Sequence, residues 1–285
     1  MKCINKRFVR VCSLLLVCSL CTISGTGCGE NRLEDAFEAD LPGIGIQTSE
    51  ESSKIPYFAS DLCVTDTDVQ DIEADTEDAL AACFFNLNEK KVLYAKNIHE
   101  RMYPASTTKI MTALVALDKG DLDAQTTVSK EAITFSESGV STAKLKEGDV
   151  LTLRQLLYAL LTVSANDAAN VIAEQIAGSQ DAFVEMMNQE AQKIGATNTH
   201  FVNANGLHSE DHYTTVYDLY LMFNAAMQHE EFLQMLQEKE YQASYQAADG
   251  TTVEAVWSTT NQFTKGDVTV PDGVTAVGGK TGTTT

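Results

Sequence analysis

Three short strings can do chemistry together: Ser106-Thr107-Thr108-Lys109, Ser164-Ala165-Asn166 and Lys280-Thr281-Gly282. They supply a nucleophilic hydroxyl, two amines, and hydroxyl and amide groups able to relay or donate hydrogen bonds. Acyl transfer by serine requires an adjacent base to take its proton. Lys109 lies one helical turn from Ser106, so the two side chains emerge on one face. An amine acts as a base only when neutral, a state favoured by burial and by a second positive charge such as Lys280. The five histidines, His99, His200, His208, His212 and His229, sit in no triad string, and no Gly-x-Ser-x-Gly elbow surrounds Ser106. Lys109 is therefore the nearest candidate base.

Each string alone is weak, since a Ser-x-x-Lys arises roughly once by chance in a chain of this length. A second one, from Ser141 to Lys144, is indeed present. Context separates them. Ser106 follows Pro104, a residue favoured in the first turn of a helix, and precedes the uncharged run 110–117, which reads as a buried helix. An ordinary snorkelling lysine is the alternative for Lys109, but a cation at a helix N-terminus opposes the dipole. Ser141 stands between Gly139 and a polar stretch, so it belongs to a surface loop or strand edge. Ser164 and Asn166 fall at a break between two helices, where they either face one cleft or simply cap the second helix. Lys280 follows Gly278-Gly279 on a β-branched run; glycines in a strand let a ligand backbone approach closely. A strand lysine before a turn is the ordinary alternative.

The elements that must position these groups follow from periodicity and turn chemistry. Residues 83–95 read as a β-hairpin turning at Asn88-Glu89-Lys90. Thr152 caps a helix over 153–161, with further helices over 167–177, 180–193 (capped by Ser179) and 216–227. The segment 241–263 reads as a hairpin turning at Asp249-Gly250, and 274–285 as a closing strand. Strands at both ends with helices between indicate one mixed α/β domain.

Upstream, Lys2, Lys6, Arg7 and Arg10 precede the apolar run 11–23 and the small residues Ser24, Gly25, Thr26 and Gly27. This is the pattern of an export signal over 1–27, too short for a comfortable membrane span. Cleavage, lipidation at Cys28 and retention as an anchor are the three outcomes open to it. Residues 28–78 are acidic, with the composition of a disordered tether, apart from a short strand candidate over 57–64. The domain is expected over 79–285. Of the seven cysteines, five precede residue 29; Cys63 and Cys83 are left to form one disulfide or two unpaired thiols, and their spacing fits no metal site. A net charge of −20 argues against nucleic-acid binding and against adhesion to anionic lipid. No metal or cofactor is implied.

Four stretches carry a family resemblance: Tyr103-Pro104-Ala105-Ser106-Thr107-Thr108-Lys109-Ile110-Met111-Thr112-Ala113, Ser164-Ala165-Asn166-Asp167-Ala168-Ala169, Asn198-Thr199-His200-Phe201-Val202-Asn203-Ala204-Asn205-Gly206-Leu207, and Gly278-Gly279-Lys280-Thr281-Gly282-Thr283-Thr284. The chain resembles a low-molecular-mass penicillin-binding protein of the D-alanyl-D-alanine carboxypeptidase family. The resemblance implies an α/β, β-lactamase/transpeptidase-like fold, an antiparallel sheet flanked by helices. It implies Ser106 as nucleophile, Lys109 as base and Ser164 as proton relay to the leaving amine. Asn166 would bind the substrate amide. Lys280 and Thr281, with Gly282 and Thr283 beside them, would hold a terminal D-Ala carboxylate, and the Ser106 and Thr283 N–H groups would form the oxyanion hole. The implied partners are peptidoglycan stem peptides ending in D-Ala-D-Ala and β-lactams as acylating inhibitors, outside the cytoplasm, with membrane attachment through the N-terminal segment. The family pattern continues beyond the Lys-Thr-Gly strand, so the chain reads as lacking its last strands and C-terminal helix. Rival readings are a serine β-lactamase, a D,D-endopeptidase and a truncated, non-catalytic wall-binding remnant. A β-lactamase calls for a Glu-x-x-Leu-Asn string; Glu185-Met186-Met187-Asn188 is the nearest approach, inside an expected helix.

Overall fold

Every residue from 109 to 116 is buried in the computed structural model, which describes residues 59–283. A run this apolar offers no face to solvent, so the helix that contains it must be wrapped on all sides. That helix, α1 (Lys109–Lys119), is packed by α2 (Leu153–Thr162), α3 (Asn166–Ala177), α4 (Gln180–Lys193) and α5 (Val216–Ala226). Local chemistry starts and stops these helices as the sequence indicates. Thr152 Oγ1 accepts from Gln155 N at 3.2 Å while Gln155 Oε1 accepts from Thr152 N at 2.9 Å, a reciprocal cap for α2. Gly178 ends α3 in the left-handed conformation at φ 78°, and Ser179 then caps α4.

Two antiparallel sheets, rather than one, accompany the helices. In the first, strand order is β1-β3-β2, with β1 (Val69–Gln70), β2 (Ala82–Asn86) and β3 (Lys91–Lys96). The second runs β4-β5-β6-β7, with β4 (Gln125–Thr127), β5 (Val150–Thr152), β6 (Glu240–Gln246) and β7 (Thr252–Ser258). The β6–β7 hairpin turns where Asp249-Gly250 predicts, and it buries Ala243, Tyr245 and Trp257. It packs on α2, where Tyr158 stacks on Tyr241 with ring centroids 3.8 Å apart. The α/β class and its antiparallel character hold.

Several expectations need correction. The described part of 57–64 forms turns, not a strand. Its backbone is satisfied by side chains instead: Cys63 N donates to the Tyr220 hydroxyl at 2.8 Å, and the Tyr217 hydroxyl donates to Cys63 O at 3.0 Å. The fold also starts upstream of residue 79. β1 pairs with β3, and Lys96 Nζ donates to Thr76 O and Ala79 O, tying down an acidic stretch that composition assigned to the tether. Cys63 and Cys83 are free thiols; burial pushes Cys83 up to about 12. Two helices went unforeseen, α6 (Glu230–Gln237) and the single turn α7 (Gln262–Lys265). Finally, the described part of 274–285 is not a strand, because no ladder of backbone hydrogen bonds joins it to a neighbour. The proposed export signal and most of the tether lie outside the described residues.

Thr152→Ala removes the acceptor of the reciprocal cap and is expected to cost about 1 kcal/mol in urea-induced unfolding, with Thr152→Ser restoring most of it. An Ala variant as stable as the parent would show that the cap is not what starts α2.

Candidate active site

Ser106 sits in a 3₁₀ turn, Ala105–Thr108, that runs into α1. Ala105 immediately before it has φ 47°, a left-handed conformation costly for a residue with a Cβ. The turn brings Ser106 Oγ to 3.1 Å from Lys109 Nζ, and the amine is wholly inaccessible to solvent. Lys109 Nζ also donates to Asn166 Oδ1 at 2.7 Å and to the carbonyl of Asn205. Burial holds its pKa well below the ordinary lysine value, and the positive charge of Lys280 lowers it further, against an opposing pull from Asp167.

The donor count then fixes the chemistry. A neutral amine has two N–H groups and one lone pair. Asn166 Oδ1 and the Asn205 carbonyl can only accept. Ser106 Oγ alone among the three partners can donate, so the lone pair of neutral Lys109 faces the Ser106 proton. That is the arrangement of a general base and its nucleophile.

Ser164 lies opposite, buried, with φ 59°. Its left-handed conformation breaks the chain between α2 and α3, and Asn166 opens α3. The ordinary capping role is absent: the N-cap position belongs to Ala165, and no side chain caps that helix. Both polar side chains are thereby left for the cleft.

Lys280 reaches in from the other side, donating to Ser164 Oγ at 3.0 Å and to Thr281 O at 2.6 Å. Burial pushes its pKa down to about 8. The segment that carries it is held by close approach instead of a ladder. A Cβ on Gly278 would stand 2.7 Å from Leu236 O, and one on Gly282 would stand 3.3 Å from Ser106 N. Thr281 and Thr260 share a hydroxyl–hydroxyl bond of 2.7 Å. The strand signal in this segment thus marked a different device, glycines that admit neighbouring backbone.

All the residues singled out from sequence gather here. Ser106, Ser164, Asn166, Thr281, Gly282 and Thr283 line one cleft of about 670 Å³, with Lys109 beneath it and Lys280 bonded to Ser164. Although the chain carries a net charge of −20, Glu137 is the sole carboxylate among the cleft's lining residues. No lysine or arginine lines the cleft itself; the cation that reaches it is Lys280, through Ser164.

Other participants escaped the sequence reading. The carbonyl of Asn205 is one of the three partners of Lys109, and its side chain is locked by Asn170 Oδ1 at 3.0 Å and Leu207 N at 2.9 Å. Asp167, buried by α3, accepts from Ala143 N at 2.9 Å and Leu145 N at 3.1 Å, so it fixes the loop that walls the cleft. Ser141 does lie in a loop, as expected, but that loop lines the cleft, and the Ser141 carbonyl accepts from Asn166 N at 2.8 Å. His212 lines the cleft from behind. The stretch 198–207 carried part of the family resemblance, but nothing local in it connects Asn205 to Lys109.

The profile of the family described as D-alanyl-D-alanine carboxypeptidase matches residues 68–285. The chain belongs to that family. Among curated members, DacF of Bacillus subtilis is 38% identical over 156 residues, covering 54% of this chain and 40% of the relative. DacB2 of Mycobacterium tuberculosis is 40% identical over 155 residues, covering 54% of this chain and 52% of the relative. The chain spans about half the length of these two curated relatives. The crystal structure of a Streptomyces DD-transpeptidase superposes with a TM-score of 0.65 at 30% identity, over 78% of this chain and 83% of that one. The match to the D-alanyl-D-alanine carboxypeptidase family takes in all three chemical strings and the loop behind Lys109.

Gly206 tests how tightly that loop sets the nucleophile. Its φ is +86°, and an added Cβ would lie 2.0 Å from the Ala105 carbonyl oxygen, which is backbone and cannot swing aside. Gly206→Ala is expected to displace the turn and slow acylation by a β-lactam on the order of 100-fold, the cost of a misplacement of about 1 Å. Gly178→Ala has the same sign of φ but open space around it. It is expected to lose about 1 kcal/mol of stability and no acylation rate. Equal acylation in the two variants would remove Gly206 from the site's support.

Proposed function

We propose that the protein is a serine-type D-alanyl-D-alanine carboxypeptidase that removes the terminal D-alanine of peptidoglycan stem peptides through a Ser106 acyl-enzyme. The observation that carries this reading is the buried Lys109 amine, whose lone pair has only the Ser106 hydroxyl to face. Ser106 Oγ attacks the carbonyl of the penultimate D-Ala as its proton passes to Lys109 Nζ. The tetrahedral oxyanion is held by the N–H groups of Ser106 and Thr283. Collapse breaks the C–N bond, and the proton reaches the departing amine through Ser164, giving free D-alanine and the acyl ester. Water then adds to the ester and returns the serine hydroxyl. Asn166 spends its oxygen on Lys109, so what it offers the substrate is its amide N–H. Lys280 and Thr281 hold the terminal carboxylate of the leaving D-Ala, and a β-lactam carboxylate takes the same place as its ring acylates Ser106.

Lys280, bonded to Ser164 and next to the cleft-lining Thr281, supports a substrate ending in a carboxylate. Against β-lactamase, Glu185 is exposed on α4 and accepts from Gln189 Nε2 at 3.1 Å, so it is no second base. A D,D-endopeptidase would use the same residues on cross-linked peptides. Such a substrate places the protein outside the cytoplasm, facing the wall. Attachment or release would be decided by the N-terminal segment; among the described residues no helix is long and apolar enough to cross a membrane.

Ser106→Ala is expected to abolish covalent labelling by a fluorescent penicillin. Ser141→Ala should leave labelling unchanged: its hydroxyl is spent on Val163 O at 2.7 Å, and the carbonyl that accepts from Asn166 N survives the substitution. Loss of labelling in the second variant alone would overturn the assignment. Diacetyl-Lys-D-Ala-D-Ala should be cleaved in preference to nitrocefin; rapid nitrocefin turnover with slow peptide cleavage would favour the β-lactamase.

The two lysines should fail differently. Lys109→Arg keeps a charge but no base, because a guanidinium does not deprotonate in proteins. Its acylation should fall by about 10²–10⁴-fold, the worth of a positioned base. Lys280→Arg keeps a cation for the carboxylate, so it should weaken binding more than chemistry. The pH profile follows from the same two groups. Acylation rises as Lys109 loses its proton with increasing pH, and falls again as Lys280 is neutralised through about 8. Lys280→Arg should move the falling limb upward by two units or more and leave the rising limb in place. Pre-steady-state acylation across pH with a chromogenic penicillin measures both. An unmoved alkaline limb, or normal acylation in Lys109→Arg, would show that the roles are wrongly divided.

A further inference from the structure

Thr108 occupies the N-cap position of α1, yet its hydroxyl caps nothing. Threonine there ordinarily accepts from a backbone N–H of the first turn. Instead, Thr108 Oγ1 lies 2.8 Å from His212 Nε2, in a wholly buried contact between residues distant in sequence. The other ring nitrogen settles which way this bond runs. Val202 N is 3.2 Å from His212 Nδ1, and a backbone N–H can only donate. Nδ1 is thus the bare acceptor, Nε2 carries the proton, and the imidazole donates to Thr108. The ring is fixed from the side as well, edge-on to Phe201 at 5.5 Å between centroids.

We infer that His212 is a positioning residue for the nucleophile, acting through Thr108 to hold the 3₁₀ turn in the strained conformation that presents Ser106 to Lys109. Thr108 stands between those two residues in the turn. The left-handed Ala105 at its start has a more relaxed state available, and a turn under strain persists only where its surroundings hold it. Gly206 closes on the same spot: a Cβ there would be 3.0 Å from Thr108 Oγ1. His212 does not touch the reacting atoms and takes no proton from Ser106.

The ring's surroundings keep this device neutral. Burial first, then the neighbouring His200, His208 and Lys109, push its pKa down to about 4. A proton on Nδ1 would set two donors against each other at Val202 and break one of the ring's two bonds. Above that pH the latch is intact.

The inference rests on Ser106 being the nucleophile, and the test separates the two. Acylation by a chromogenic penicillin is resolved into initial binding and the acylation step, with thermal stability measured on every variant. His212→Gln places an amide N–H near the Nε2 position, so it should acylate within about threefold of the parent. His212→Asn can still accept from Val202 but ends short of Thr108; it, His212→Phe and Thr108→Val should each lose about tenfold or more in the acylation step, with binding little changed. Thr108→Ser should recover the rate. The double variant His212→Phe/Thr108→Val should be no slower than the slower single, because both remove one interaction. The inference is overturned if Gln and Asn fall equally, if the two losses add, or if rate loss simply follows loss of thermal stability. Should His212→Phe fail to fold, the Thr108→Val and Thr108→Ser pair decides, and equal rates in those two overturn it. A parent that shows no Ser106-dependent acylation would sink the functional reading, and this inference with it.

Discussion

A buried amine at the centre of a helical core is the constraint on which this structure turns. Lys109 is closed off from solvent, and it stands at the N-terminal end of α1, where the helix dipole disfavours positive charge. Such a group is tolerated only if its polar atoms are matched by neighbours. The three that match it come from three places in the chain: the turn before α1, the start of α3, and the loop at 203–207. Packing α1 among four helices is thus also what assembles the site. Two of the partners can accept only, which leaves the third, Ser106, as the one able to give Lys109 a proton.

The loops that deliver these partners are secured by polar groups whose own demands are fully met. Asp167 turns its carboxylate onto two backbone N–H groups of the cleft wall, at the cost of being buried, which raises its pKa. In the 203–207 loop, Asn203 bonds Gly206 N at 2.7 Å and Leu207 O at 2.9 Å, while Asn205 bonds Asn170. Networks of this kind are costly when half satisfied and rigid when complete. Rigidity is what the left-handed residues Ala105 and Ser164 require, since each stores strain beside a chemical group.

What could be read in the sequence divides along the same line. Capped helices, the first hairpin and the buried α1 depend on local pattern and were legible to within a residue or two; the second hairpin was legible in its turn, but it ends at Ser258, five residues before the expected end. The convergence of Ser106, Lys109, Ser164, Asn166, Lys280 and Thr281 was legible because their strings combine chemical type with spacing. The supporting groups were not. His212 and Asp167 sit among ordinary polar residues, and their importance comes from contacts more than 20 residues away in sequence. The early turns at 59–64 and the short strand β1 were misread for a related reason: their backbone partners are tyrosine hydroxyls and a distant strand, which no window of composition includes.

The Lys-Thr-Gly segment carries the same lesson into function. Its Gly-Gly and β-branched residues suggested a strand, but its contacts are close approaches of glycine to the backbone of Leu236 and of the Ser106 turn, plus the Thr281–Thr260 bond. The chemical half of the site, Ser106 with Lys109 and Asn166, is therefore built into the helical core. The half suited to recognition, Lys280 to Thr283, is fastened onto it from outside. Lys280 joins the two through Ser164, and its charge is one of the forces that keep Lys109 neutral. Seating a carboxylate on Lys280 would partly offset that charge and ease the proton transfer from Ser106 to Lys109. In the proposed reaction, recognition and activation would in this way be electrostatically coupled across a single hydroxyl.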